Sequence, residues 1–168
     1  MRHDRAKHVV FGSAGGIAGT VYGTIVVMAT LTAGAQGKQT DMARLAVVVG
    51  VTVLVLWAGH VYAHALGESV ERGRRLDRVE LRDVARRELS IPAAAVAPVA
   101  ALVLGALGIL GAQTALWLAL GIGVATLGVQ GARYAAIEQL DRTGTLAVIA
   151  VNLLLGLVIV GLKALVAH

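Results

Sequence analysis

Apolar residues in this chain fall in long unbroken runs rather than in alternating or narrow-striped patterns. Five runs, at about 9–33, 45–66, 91–110, 115–137 and 145–166, are each long enough to span a bilayer, because ~20 helical residues cross the hydrocarbon core. They lack the period-2 alternation of a transmembrane β-barrel. The stretch from Ile91 to Ile137 carries a single charge, Arg133, and is too long for one span. It must fold back, and Gly111-Ala112-Gln113-Thr114, where glycine and polar residues interrupt the run, is the expected turn. Segment 67–90 is the one strongly polar stretch. Glu68/Arg72, Glu71/Arg75 and Asp83/Arg87 place acid before base at i, i+4, which predicts a solvated helix. The second helix should project past the bilayer and turn, with an amphipathic helix returning along the cytoplasmic surface. Ser90 is expected to N-cap the third span, with Pro92 in its first turn. The predicted fold is all-α: one polytopic transmembrane domain over residues 1–168, with a cytoplasmic helix between the second and third of five spans.

Composition strengthens this reading. The chain of 168 residues is 57% hydrophobic and 15% charged, with a mean hydropathy of +0.78. A soluble domain of this size has no room to bury so much apolar surface, whereas a bilayer accepts it. Cysteine is absent, which excludes disulfides, thiolate metal sites and cysteine catalysis. The net charge of +5 is not a nucleic-acid signal, because the bases sit in short segments between apolar runs. Placing the N-terminus inside puts Arg2, Arg5, Lys7, seven Arg between Arg72 and Arg87, Arg133 and Arg142 on the cytoplasmic side. Lys38, Arg44 and Lys163 fall outside, and twelve against three is a strong positive-inside bias. An odd number of spans is needed to keep it. The expected setting is the plasma membrane of a prokaryote, with the C-terminus on the opposite side. The opening MRHDRAK, its apolar run and Ala33-Gly34-Ala35 also look like a signal peptide. The run exceeds the usual ~7–15-residue core of such peptides, so a retained helix is expected.

Candidate chemistry clusters where the second run ends, at His60, Tyr62, His64 and Glu68. Spacings of i, i+4 and i+8 put His60, His64 and Glu68 on one helix face. An ionisable side chain near the bilayer centre costs roughly 2.5–3.5 kcal/mol, so such a stripe calls for a reason. Imidazole and carboxylate suit a divalent cation; proton relay, or plain hydrogen bonds to a neighbouring helix, are the alternatives. The first run carries Gly12, Gly15, Gly16, Gly19 and Gly23, a smooth stripe for close helix packing. The same helix could instead line a pathway, with Tyr22, Thr24 and Met28, joined by Tyr62 of the second run, as its polar and soft groups. Gln130 and Asn152 are expected to bond each other or nearby backbone. No Gly-x-Ser-x-Gly, phosphate-binding loop or His-Glu-x-x-His appears, so an enzyme is not expected.

The first run opens Phe11-Gly12-Ser13-Ala14-Gly15-Gly16, similar to the Phe-Gly-x-x-Asp-Gly opening of the vacuolar iron transporter family. The second ends His64-Ala65-Leu66-Gly67-Glu68-Ser69-Val70, which resembles that family's Ser-Met-x-x-Gly-Glu-Tyr segment. A charged helix, a hairpin of the third and fourth spans, the Gly131-Ala132-Arg133 loop and a glycine-containing last helix follow in the same order. Gly15 stands where the family has its transport-path Asp, His64 where it has Met, and Ala63 where it has Ser, while Glu68 is kept. Segment 67–90 is too short for the family's Glu-rich cytoplasmic metal-binding domain. The resemblance implies a homodimer in the lipid bilayer that moves a divalent cation, iron or manganese in type, out of the cytoplasm in exchange for protons. It implies no permanently bound cofactor and no nucleic-acid partner. His60, His64 and Glu68 would be the metal ligands. A scaffold or accessory protein that kept the fold and lost the cation site is the alternative, and a small channel a third.

Overall fold

The computed structural model describes residues 14–35 and 41–166 and is all-helical. Six helices follow in order: α1 Ala14–Gly34, α2 Met42–Glu71, α3 Arg78–Arg87, α4 Ser90–Ala106, α5 Ala112–Ile137 and α6 Arg142–Val166. The described part of each expected run is helical, except that the third ends at Ala106 and its last four residues form the turn. Gly12 and the expected start of the first helix at Val9 lie outside the described residues. Among the described residues four helices, α1, α2, α5 and α6, are long and apolar enough to cross a membrane, and α3 with α4, bent by 49° at their junction, brings the number to five when that pair is counted as one span.

The breaks between helices have local causes. Asp41 starts α2, its Oδ1 accepting the N–H groups of Ala43 and Arg44 at 2.9 and 3.1 Å. Three helices end in one way. After α2, α4 and α5 the chain enters a left-handed residue, Gly73, Gly108 and Gln139 respectively. The next N–H then reaches back to the carbonyl five residues earlier: Arg74 to Ser69, Ile109 to Leu104 and Leu140 to Ala135. Gly108 therefore sets the hairpin between α4 and α5. The turn falls at 107–111 rather than at the expected 111–114, and Gln113 and Thr114 already belong to α5.

Ser90 also departs from expectation. It does not cap α4, because the backbone runs almost continuously from α3: Leu89 is itself helical, and the N–H groups of Ile91 and Ala93 bond to the carbonyls of Glu88 and Leu89. With these donors satisfied by the carbonyls of the α3–α4 junction, and Pro92 having none, α4 needs no side-chain cap.

α1 and α4 are the central helices; α1 packs on α2, α4, α5 and α6, and α4 on α1, α2 and α5. Val27, Leu31, Val49, Ile91, Leu102 and Leu120 form the middle of the core. Small residues bring α1 onto α4: a Cβ at Gly23 would lie 2.6 Å from the Ile91 carbonyl oxygen, and one at Gly19 would collide with Ser90 Oγ. Gly105 does the same between α4 and α5, facing Ala115. α2 and α6 are peripheral, with only 22% and 6% of their apolar windows buried, against 44% for α1 and α5.

Candidate functional site

The polar stripe of α2 lies where that helix outruns the core. At 1.5 Å per residue its 30 residues extend about 45 Å, against a hydrocarbon thickness of about 30 Å. The overhang is not bare. A loop at 72–77 reverses the chain, and α3 packs against the end of α2 through its one buried side chain, Val84. α3 begins with a reciprocal cap: Asp77 accepts the N–H groups of Val79 and Glu80, and Glu80 accepts that of Asp77.

Four side chains of α2 reach across to α3 or to its junctions. Trp57 Nε1 donates to the Ala85 carbonyl at 3.2 Å. His64 Nδ1 stands 2.8 Å from Glu88 Oε1. Glu68 accepts from Arg87 with one oxygen and from Arg72 with the other, the latter at 3.1 Å. Ser69 donates to the Arg74 carbonyl in the loop at 2.8 Å. Glu80 draws the loop in from the other side, taking Arg72 at 2.5 Å and Arg74 at 2.6 Å. Its carboxyl is lowered to about 2, first by the hydrogen bond from Arg74, then by that from the Asp77 N–H. The Arg74 guanidinium is raised in turn, chiefly by its hydrogen bond to Glu80.

No known family model, curated protein or solved structure matches the chain.

His60 and His64 share a face, their ring centroids 6.2 Å apart. His60 also lies against Tyr22 of α1, at 5.0 Å between ring centroids, with its Nδ1 3.3 Å from the Leu56 carbonyl of its own helix. The third expected ligand goes elsewhere: Glu68 is drawn to Arg72 and Arg87. Among the described residues no three His, Asp or Glu side chains gather in a geometry for a metal ion. Glu88, which sequence reasoning did not single out, is the carboxylate that meets His64. Nothing local marks it, because it stands 24 positions after His64 and only the reversal at 72–77 brings the two together.

The expected pathway groups scatter. Tyr22 is partly exposed beside His60, and Tyr62 is 68% exposed, about half a helical turn away from His60. Thr24 and Met28 are buried; Thr24 donates to the Thr20 carbonyl one turn back, and Met28 fills the space over Gly123. Gly15 lies in the first turn of α1, and Gly16 is buried. Gln130 and Asn152 do not meet; Gln130 Oε1 accepts from Arg133 at 3.5 Å and Asn152 donates to the Val148 carbonyl at 3.0 Å. Each is satisfied within its own helix.

Proposed function

We propose that the chain is an integral membrane protein of five spans, with α4 as the third and α3 bent away from it at the cytoplasmic surface, in the plasma membrane of a prokaryote and with its N-terminus in the cytoplasm. Its helix order is similar to that of the vacuolar iron transporters. In this reading it works as a non-transporting scaffold or accessory protein. The observation that carries it is the double pairing of Glu68. This residue, which the likeness to that family would make a cation ligand, is held by Arg72 and Arg87 in fastening α3 to α2. A carboxylate with a guanidinium on each oxygen is already more than neutralised, and a metal ion approaching it meets the repulsion of both arginines. The apolar outer faces of α2 and α6 are left for lipid or a second copy.

A second reading, divalent-cation transport by a homodimer, draws on the neighbouring His60 and His64 rings and the carboxylate of Glu88 beside them. Two imidazoles and one carboxylate are a reasonable donor set for iron or manganese if another copy completes it. One experiment separates the two. Purified protein in proteoliposomes is loaded with a metal-sensitive dye, and Fe2+ and Mn2+ entry is followed with and without a pH gradient. The scaffold reading expects rates equal to those of empty vesicles. Flux that His60→Ala/His64→Ala abolishes would replace it with the transporter reading.

A further inference from the structure

By composition the segment from Glu68 to Glu88 is close to neutral, with seven Arg against six Asp and Glu. The fold draws four of the six acids inward and leaves Glu71 and Asp83 exposed. Glu68, Glu80 and Glu88 turn toward α2 and the loop, where Arg87, Arg72, Arg74 and His64 take them, and Asp77 is spent on capping α3. Arg75, Arg78 and Arg82 are left on the outside, exposed and without a carboxylate partner. Arg78 and Arg82 stand one turn apart on the face of α3 opposite buried Val84, and Arg86 continues the row, touching Asp83 only at 3.9 Å. Val79, 69% exposed, lies on the same side.

We propose that this outward face of α3 binds the anionic phospholipid headgroups of the leaflet that borders it. The inference rests on the membrane reading above but not on either choice of function. Depth supports it. Trp57 ties Ala85, near the C-terminal end of α3, to α2 nine residues before the apolar run of that helix ends at Leu66, while the N-terminal end of α3 follows the loop at 72–77 beyond that run. α3 therefore descends from the headgroup level, where Arg75 and Arg78 stand, toward the acyl boundary, and apolar α4 leaves for the hydrocarbon from Ser90. Its arginines can lay their apolar stems along the acyl boundary while their guanidiniums meet phosphate, and Val79 can dip between them. Basic residues at this depth are drawn to anionic lipid by the surface potential, and the row at 75, 78 and 82 gives that attraction a fixed geometry.

The test uses the full chain in nanodiscs of phosphatidylcholine alone or with increasing phosphatidylglycerol, with thermal unfolding and lipid retention in native mass spectra as readouts. Phosphatidylglycerol should raise Tm and be retained preferentially. Arg75→Gln/Arg78→Gln/Arg82→Gln should weaken retention at least tenfold, on the basis of roughly fivefold per arginine near a charged surface, while leaving Tm in pure phosphatidylcholine unchanged. Arg75→Lys/Arg78→Lys/Arg82→Lys should keep most of the response, and Arg44→Gln, at the other end of α2, all of it. An equal phosphatidylglycerol response in wild type and the triple Gln variant would overturn the proposal. So would reproduction of the full effect by free phosphate, which would make this a site for small anions. Release of the protein from native membranes by alkaline carbonate would instead remove the membrane reading itself.

Discussion

The contact of Gly19 and Gly23 with the first turn of α4 is where single atoms matter most. Gly23 faces backbone, and backbone cannot swing aside, so Gly23→Ala must push α1 off α4. A loss of about 2 kcal/mol or more is expected, in the range of overpacked cores, read as a lower Tm in detergent or nanodiscs. Gly19 faces a side chain, Ser90 Oγ, which is buried without a hydrogen-bond partner. An unsatisfied buried hydroxyl costs about 1–3 kcal/mol, so Ser90→Ala should be neutral or stabilising. It should also soften the effect of Gly19→Ala when the two are combined; strict additivity in that cycle would refute the contact. Gln139 offers the opposite case. It sits at φ 52°, where its two counterparts at the ends of α2 and α4 are glycines. Gln139→Gly should raise stability by up to about 1 kcal/mol, because relief of left-handed strain exceeds the added freedom of the unfolded chain.

α3 is the element whose stability is most open to manipulation, because it buries one side chain and otherwise hangs on polar ties. Combining Trp57→Phe with Glu88→Gln removes two of them. Hydrogen exchange should then quicken across 78–87 while α4 and α5 keep their protection. Acid should act on the same element. The Glu80 carboxyl is lowered to about 2 from an ordinary value of 4.5, so its contribution is complete above about pH 4.5 and is lost as the pH falls toward 2. In a Trp117→Phe background the emission of Trp57, bonded to Ala85 of α3, should stay constant down to about pH 4 and change below it. Emission unchanged down to pH 2 would show that Glu80 does not hold α3 in place. α3 was legible as a charged helical segment. Of the three expected i, i+4 pairs, however, only Glu68/Arg72 forms: Arg87 goes to Glu68 rather than to Asp83, which meets Arg86 instead, and Arg75 does not reach Glu71. The docking of α3 was not legible, because the pairs that fix it, His64–Glu88 and Arg87–Glu68, join residues whose proximity depends on the reversal at 72–77. In the same way the i, i+4, i+8 spacing correctly put His60, His64 and Glu68 on one face, but spacing within a helix is blind to arginines arriving from the next one.

At the scale of the whole molecule, hydrophobic runs alone fixed the order of the apolar helices, because a bilayer-length apolar run has few other ways to satisfy its backbone. What they could not give was which helices sit in the middle, since every run is apolar all round. That choice is made by small residues at Gly19, Gly23 and Gly105, which let α1, α4 and α5 approach. The absence of cysteine makes the span count easy to test. Single substitutions Arg75→Cys and Ile109→Cys, at opposite ends of the α3–α4 unit, should label from opposite sides of sealed membranes with an impermeant maleimide. Labelling from one side would rule out α4 as a span. The ties between α2 and α3 also have a bearing on synthesis. They join residues only 28 and 19 positions apart for Trp57–Ala85 and Glu68–Arg87, and such short separations close quickly. On the ribosome this clamp can therefore form as soon as Glu88 emerges, before α4 has left the tunnel, so that α4 enters the assembly from a fixed pivot and the central helix is guided to α1 rather than left to find it.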